Sequence, residues 1–290
     1  MSLQSRLLVT ALTLGSVVGL ASVAHATPYA FASNQITGLT VTLAGGAPLP
    51  VVGTPTTSIS DSAQWAGSSN SGFQNSGVVG NALTISQAFS GPGAAPPATY
   101  TPQGPTFIGA RADAAIGAGS ASTGGVSVMN VAEANGNALG NSVGTNNAAI
   151  SFTIVGTGQA LALSFSDLIQ LAASTAALPG ETANAAIQNN FSITAQGAST
   201  PLATFSPADI NRQIASNGGN PLNNTVGPST FSESFTSPTL LNGVTYNVAL
   251  TSTASETVLP GRANTPEPAS LAILGAALAG LGIVRRRKTS

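Results

Sequence analysis

Apolar and polar residues alternate along much of the chain, and this period of two constrains the fold more than any other feature. Ile150, Phe152 and Ile154 alternate with Ser151 and Thr153. Successive side chains of a strand point to opposite faces, so this pattern predicts a strand with one buried face. The pattern recurs in residues 36–43, 126–131, 161–165, 185–195, 231–235 and 244–251. The aromatic residues of these and nearby segments are predicted to pack in the core: Phe152, Phe165, Phe191, Phe205, Phe231, Phe235 and Tyr246.

Gly, Pro, Ser and Asn concentrate between the alternating segments, where they are typical of turns and loops. The sequence therefore predicts a mainly β body, with an antiparallel β-sandwich or a jelly-roll-like fold. Residues 27–264 are enough for one large β domain. A split into two smaller sandwiches within residues 135–147 is the alternative.

Two local patterns give finer predictions. The Asn-Gly pair at residues 242–243 predicts a hairpin between a strand over residues 231–235 and the strand that follows the pair. Residues 206–215 are the best helix candidate, because Ser206 can cap a helix and Pro207 suits the first turn.

The residue types missing from the body exclude several functions. Residues 27–264 contain no Cys, His or Lys. Relays that use imidazole or thiol, zinc or haem sites with Cys or His ligands, and Schiff-base chemistry are therefore excluded. Three arginines against eight acids leave the body with a formal charge of −5. We expect no nucleic-acid partner, because three scattered arginines make no cationic footprint.

The few charges also describe the expected surface. Charged residues make up 6% of the chain, against about 25% in typical soluble domains. Ser, Thr, Asn, Gly and Ala replace them, which suits an extracellular protein with a neutral surface rich in hydroxyl and amide groups.

Carboxylates are the main acid–base groups left for chemistry. Two of them at a suitable separation can hydrolyse a glycosidic bond, but no pair lies in a recognisable motif. Oxygen ligands for calcium remain, with Asp61 near Asn70 or Asp113 near Glu133 as candidates. No stretch has the spacing of a calcium loop, and solvated loop carboxylates are the simpler interpretation. The sequence thus predicts no enzymatic activity, no catalytic residue, no cofactor and no metal.

Trp65 is the single tryptophan of the chain, and it lies beside a polar loop. Its indole ring is a candidate platform for stacking on a sugar ring. A core position, with the indole N–H bonded to a neighbour, is the simpler interpretation.

Residues 1–26 have the regions of a secretory signal peptide, which predicts an N-terminal signal helix. Arg6 supplies the positive charge, and residues 7–23 are apolar or small. Ala24 and Ala26 give the small-x-small pattern at which signal peptidase cuts, so the mature chain is expected to begin at Thr27. A retained membrane anchor is the alternative.

Three elements follow one another at the other end of the chain, within residues 265–290. Pro266-Glu267-Pro268 comes first, and its prolines favour an extended segment open to a processing enzyme. An apolar run over residues 269–284 predicts a transmembrane helix, although it is short against the roughly 20 residues of a typical span. A basic cluster follows, which should anchor the chain on the cytoplasmic side: Arg285, Arg286, Arg287 and Lys288. A plain tail anchor or a buried apolar helix is the alternative.

This order of elements resembles the PEP-CTERM sorting signal, which an exosortase of the bacterial inner membrane recognises and cleaves. The start of the body, residues 27–39, also resembles exosortase-dependent surface proteins. The resemblance implies a Gram-negative host, export across the inner membrane, transient anchoring there by the C-terminal helix, and a final place at the cell surface or in the extracellular matrix. It implies the exosortase as partner and this chain as its substrate.

The resemblance and the missing residue types together give the expected function. The leading hypothesis is a non-enzymatic surface or matrix protein linked to exopolysaccharide and to biofilm or floc formation. The alternative is a carbohydrate-binding module that holds exopolysaccharide, and a carboxylate-dependent glycan hydrolase or lyase is the third.

Overall fold

The computed structural model describes residues 27–76, 83–92, 94–97, 101–104, 106–117, 126–136, 141–176, 179–218 and 224–261. These residues form strands joined by turns and loops, with no helix among them. In chain order the strands are β1 (Tyr29–Leu43), β2 (Val51–Trp65), β3 (Ser68–Ser76), β4 (Leu83–Ser90), β5 (Ala110–Ile116), β6 (Val126–Asn135), β7 (Ser142–Val155), β8 (Leu161–Ser174), β9 (Thr182–Ala195), β10 (Ala203–Phe205), β11 (Arg212–Asn217), β12 (Asn224–Thr236) and β13 (Thr245–Leu259).

The strands form two sheets in which every pair of neighbours is antiparallel. Sheet A has the order β12-β8-β1-β6-β5-β4, and sheet B has the order β10-β9-β13-β7-β2-β3, with β11 also paired to β9. The predicted mainly β, antiparallel body is therefore confirmed. The predicted signal helix and C-terminal helix lie outside the described residues.

The two sheets pack face to face over one apolar cluster. Burial alternates strictly along β7, where even-numbered residues from Ser142 to Ile154 are buried. Strand β13 shows the same alternation. Because each strand gives one row of side chains to the interior, the predicted aromatic residues meet there: Phe152, Phe165, Phe191 and Tyr246 are buried, while Phe205, Phe231 and Phe235 pack at its margin.

Both sheets combine strands from the two halves of the chain. Sheet A joins β1, β4, β5 and β6 to β8 and β12, and sheet B joins β2 and β3 to the later strands. The body therefore does not divide at residues 135–147 into two sandwiches.

The helix predicted over residues 206–215 is wrong. Pro207 and Asn211 close a single turn, in which the amide of Asn211 donates to the carbonyl of Pro207. The chain then enters β11, where Arg212 pairs with Ile187 of β9. The side-chain amide of Asn211 also donates to the carbonyl of Asn189 in β9, at 2.9 Å. Hydrogen bonds to β9 thus replace those that would have extended the helix.

The hairpin predicted around residues 242–243 is wrong in its strand pairing. The turn exists, and Gly243 takes a positive φ of 77°. However, β12 before it belongs to sheet A and β13 after it belongs to sheet B. The connection bonds instead to the β7–β8 loop, because Gly158 donates to the carbonyl of Leu240 and Gly156 donates to that of Val244. An Asn-Gly pair specifies the turn but does not determine which strands pair with each other.

The two ends of the body meet at Gly136. The amide of Gly136 donates to the carbonyl of Pro28 at 2.7 Å. A Cβ atom added at Gly136 would lie 2.7 Å from Cγ of Pro28 and 2.8 Å from Cγ1 of Val258. The start of β1 and the end of β13 therefore leave the sandwich at the same pole.

The β2–β3 hairpin has a two-residue turn with an unfavourable residue. Trp65 pairs with Ser68, so Ala66 and Gly67 form the turn. Both have positive φ, 49° for Ala66 and 86° for Gly67. This is the type I′ geometry, which favours Asn or Gly at its first central position and disfavours an alanine, whose Cβ makes positive φ costly.

We expect Ala66→Asn to stabilise the protein. Asn adopts the left-handed region more readily than Ala, so the gain in the free energy of unfolding should be about 0.5–1 kcal/mol. Urea denaturation of the full chain measures it. Ala66→Val is the matched control, and it should destabilise because a β-branched side chain tolerates positive φ poorly. Equal stability of the Asn and Val variants would contradict the proposed turn geometry.

Candidate functional site

Most charged side chains of the body lie inside it. Ten charged residues fall within the described ranges, and seven of them are buried: Asp61, Arg111, Asp113, Glu133, Asp167, Glu181 and Glu256. The other three, Asp209, Arg212 and Glu233, lie near the edge formed by β10, β11 and β12. The usual distribution is the reverse, because charged groups are stabilised by water. The surface is therefore almost free of charge wherever the structure describes it.

Arg111 is the centre of a buried ionic cluster. On the outer side of sheet A, Arg111 of β5 lies opposite Glu133 of β6. Its Nε donates to Oε2 of Glu133 at 2.8 Å, and its Nη1 donates to Oδ2 of Asp113 at 3.1 Å. The hydroxyl of Tyr29 donates to Oε1 of Glu133 at 2.7 Å. Sequence reasoning missed this cluster, although the spacing of two between Arg111 and Asp113 places both on one face of a strand.

The cluster is buried because a chain segment crosses over it. We name residues 94–97 and 101–104, which connect β4 to β5, the strap. The amides of Gln103 and Gly104 donate to Glu133 at 3.1 and 2.9 Å, and Nη2 of Arg111 donates to the carbonyl of Thr101 at 2.8 Å. Glu133 and Arg111 therefore hold the strap as well as each other.

A second polar network crosses the interior between the sheets. Nδ2 of Asn34 in sheet A donates to Oδ1 of Asn189 and to Oγ of Ser252, both in sheet B, at 3.0 and 2.8 Å. Asn130 of sheet A also donates to Ser252, and Asn189 donates to Oδ2 of Asp167 at 2.9 Å. These bonds fix the sheets relative to each other, since each donor must face one acceptor.

Two more carboxylates enter the interior from sheet B, each beside a glycine. Asp61 lies directly opposite Gly72, and Glu256 lies directly opposite Gly144. A Cβ atom at either glycine would collide with the neighbouring carboxylate. The missing side chain thus makes room for the acid within the sheet.

Burial changes the acidity of these groups. It raises the pKa of Asp113 to about 6, although Arg111 opposes the rise. It raises the pKa of Asp167 to about 7 against the hydrogen bonds from the Gln35 amide and from Asn189. The pKa of Glu256 is also raised by burial, with the charge of Glu133 as a second cause. Burial likewise raises the pKa of Asp61, with the Ser86 hydroxyl opposing.

The outer side of sheet B is a broad surface that carries no charged side chain among the residues that the structure describes. We name the outward residues of β2, β7, β13 and β9 the neutral face. Its rows run across all four strands in register: Ser58, Ala149, Thr251 and Asn190 form one row, and Thr56, Ser151, Ala249 and Ser192 form the next. Thr56 and Ser151 share a hydrogen bond of 2.6 Å between their hydroxyls. Hydroxyls and amides spaced like this can bond to an uncharged polar partner.

A shallow groove of about 430 Å³ lies where β1 bulges away from β8. Its lining is rich in hydroxyl groups and includes one acid: Thr37, Gly38, Ser164, Phe165, Ser166, Ser232, Glu233 and Ser234. The pKa of Glu233 is raised by burial first and by the charge of Asp209 second. The groove is therefore a second candidate site for a hydroxyl-rich ligand.

The sequence-based metal candidates have other partners. Asp61 points into the interior, whereas Asn70 is exposed and donates to the carbonyl of Phe89. Asp113 and Glu133 do come together, but the guanidinium of Arg111 lies between them. The described ranges contain no group of three His, Cys, Asp or Glu side chains that could hold a metal ion.

Trp65 ends β2 and is partly buried against the core cluster. Its Nε1 is buried, and no described residue accepts a hydrogen bond from it. This position limits how much of the ring a sugar could cover, and the stacking role stays a prediction.

The predicted processing residues lie outside the described residues. They are Ala24 and Ala26 of the signal peptide, Pro266, Glu267 and Pro268 of the sorting element, and Arg285, Arg286, Arg287 and Lys288 of the basic cluster. In the part of the chain that the structure describes, no helix is long and apolar enough to cross a membrane.

Residues 264–288 match the PEP-CTERM protein-sorting motif. The chain thus carries the sorting motif of exosortase substrates, which implies export, transient membrane anchoring through the C-terminal region and an exosortase as processing partner. No curated protein and no solved structure is significantly similar to the chain. The function of the body therefore has to be inferred from its own residues.

We expect Arg111→Met to destabilise the protein strongly. The substitution leaves Glu133 and Asp113 buried without their cation, and breaking a buried pair in this way costs about 3–5 kcal/mol. Chemical denaturation measures the loss, and limited proteolysis should show cleavage within the strap.

Arg212→Met is the matched control for this loss. Arg212 is 40% exposed and lies 4.0 Å from Asp209, so its removal should cost less than about 1 kcal/mol. Similar losses for both variants would show that the buried cluster is not what stabilises the strap. Glu133→Gln added to Arg111→Met should recover part of the stability.

We expect the protein to be more stable in mild acid than at pH 8. The pKa values of Asp113 and Asp167 are raised to about 6 and 7 in the folded state, against about 3.9 in unfolded chains. Between these pH values the folded state binds more protons than the unfolded state. The contribution of the two acids to stability is therefore fully present below about pH 4 and is lost as the pH rises to about 7. Tm measured from pH 4.5 to 8 tests this.

Asp167→Asn separates this effect from other titrations. The uncharged amide removes the titration of Asp167, so the fall in Tm above pH 5 should become shallower than in the wild type. A Tm that rises with pH in the wild type, or an unchanged slope in the variant, would overturn the assignment.

Proposed function

We propose that this chain is a non-enzymatic, exported surface or extracellular-matrix protein of a Gram-negative bacterium. An exosortase processes its tail, and the body then contributes to an exopolysaccharide matrix, as in biofilms or flocs. The observation that carries the proposal is the neutral face, together with the sorting motif at residues 264–288. A body that hides its charges and displays hydroxyls and amides suits a hydrated, uncharged polymer network.

The positions of the acids support a role without catalysis. Glycoside hydrolysis needs two carboxyl groups facing each other across a cleft, about 5–10 Å apart. Asp61, Asp167 and Glu256 lie in the core between the sheets, and Glu133 lies under the strap. In the part of the chain that the structure describes, these acids are buried, so they are not presented to a substrate. Glu233 is the acid that lines the groove. Asp209, whose charge raises the pKa of Glu233, is not part of that lining and lies beside Arg212. The groove lining therefore does not contain two carboxyl groups that face each other.

Deletion of the gene should change cell aggregation or matrix texture in the native host. Complementation with the wild-type chain should restore it, and a chain with Thr251→Lys and Asn147→Lys should not, because two cations disrupt the uncharged face. Gln170→Lys on the outer side of sheet A is the control and should restore the phenotype. Normal flocculation in the deletion strain would count decisively against the proposal.

The groove favours a second function, a carbohydrate-binding module that holds exopolysaccharide. Four serines in the groove can bond to sugar hydroxyls, and Trp65 is the other candidate for sugar contact. Affinity electrophoresis in gels containing the host polysaccharide tests it. Ser166→Arg with Ser232→Arg should abolish retardation if the groove binds the polymer, and the same retardation in wild type and variant would exclude the groove.

A further inference from the structure

We propose that the pole where both chain ends emerge is a docking surface for the membrane-embedded enzyme that cleaves the tail. We name this the terminal pole and define it by Pro28, Gly136, Pro179, Gly180 and Leu259. The inference concerns maturation, so it does not depend on the function proposed for the mature body.

Several elements converge on the terminal pole. Gly136 contacts Pro28 near the start of β1 and Val258 near the end of β13. Leu259 pairs with Thr182, the first residue of β9, which lies two residues after Gly180 of the turn at Pro179 and Gly180. Residues 27 and 261, which connect to the signal peptide and to the tail, therefore leave the body side by side.

The tether between the body and the sorting element is short. Pro266 follows Leu259 by seven residues, which span at most about 25 Å when fully extended. Strand β13 alone has 15 residues and is about 50 Å long at the usual rise of an antiparallel strand. The tether is shorter than the body, so the body stays within its own length of the cleavage point. The terminal pole is therefore the end of the body that faces the enzyme.

The size of an enzyme makes this proximity a contact. A folded domain of about 250 residues has a radius of gyration near 18 Å. When the active site of such a domain holds Pro266-Glu267-Pro268, the surface of the enzyme extends around that site. The tether, of at most about 25 Å, is no longer than this surrounding surface is wide. The tether is therefore short enough to bring the terminal pole into contact with the surface of the enzyme around its active site.

The chemistry of the terminal pole suits such a contact. Leu259 is 41% exposed, and Pro179 and Gly180 are exposed in the turn beside it. Glu181, the acid next to them, is buried. The exposed charges of the described residues, Asp209, Arg212 and Glu233, belong to other parts of the body. The pole thus presents an apolar residue and turn backbone, with no exposed charged side chain among its described residues.

The test is a pulse-chase measurement of the ratio of tail-bearing to processed chain, with the full-length protein in a host that has the exosortase. Leu259→Glu and Pro179→Glu should each slow processing by roughly tenfold, because a carboxylate would be buried without a partner in the contact. Leu241→Glu is the matched control. Leu241 is 67% exposed, lies at the opposite pole next to the start of β13, and should be processed at the wild-type rate.

A lengthened tether separates contact from misfolding. An inserted Gly/Ser linker of about twelve residues after Gly261 spans roughly 20 Å on average and should restore normal processing of Leu259→Glu. Slow processing that persists with the linker, or equal rates for Leu259→Glu and Leu241→Glu at the native length, would overturn the proposal.

Leu259→Lys decides between the enzyme and the lipid surface. A protein contact should be disturbed by either charge, so both Leu259 variants should be slow. If Leu259→Glu is slow and Leu259→Lys is processed normally, repulsion from anionic headgroups explains the effect, and the proposed docking on the enzyme is wrong.

Discussion

The pleat of a β-strand allows each side chain only two directions, towards the shared interior or towards water. In this body most charged residues of the strands face inwards or lie under the strap, and the outward rows hold hydroxyls, amides and small side chains. The interior satisfies part of those charges, because Arg111 and two strap amides donate to Glu133, Arg111 also donates to Asp113, and Asn189 donates to Asp167. Asn146 adds a bond between the sheets, because its Nδ2 donates to the backbone carbonyls of Asp113 and Val131 across the sandwich. Position and pairing of the two sheets follow from these bonds as well as from apolar packing.

A surface with so few charges has consequences for association. Charged proteins repel copies of themselves and bind oppositely charged polymers, whereas a neutral hydroxyl-rich surface does neither. Two of the buried carboxylates add less than their formal charge, since burial raises the pKa of Asp167 to about 7 and raises that of Glu256, which favours their neutral forms. The formal charge of −5 of the body therefore overstates what a neighbouring molecule meets. This is the physical link between the inside of the sandwich and the role proposed for its outside.

The strands could be predicted from the sequence, because the alternation of polar and apolar residues shows which side chains of a strand face the core. Residues 150–154 and 244–251 show this clearly. Partner choice could not be predicted, since it depends on contacts far along the chain, as the connection at residues 242–243 and the false helix at 206–215 demonstrate. The neutral surface followed from composition. The cluster at Arg111 did not, because a strand pattern says which residues share a face but not that a distant segment such as residues 101–104 will cover it. The sorting motif was predictable since its elements are local.

The burial of Arg111 also bears on how long such a protein survives outside a cell. Trypsin-like proteases cut after Lys or Arg in flexible, accessible chain. Residues 27–261 contain no Lys and two Arg. Arg111 has no exposed surface, which leaves Arg212, held in β11, as the accessible site of this kind in the described body. The same distribution of charge that makes the surface neutral also leaves trypsin-like extracellular proteases with few accessible cleavage sites in the described body.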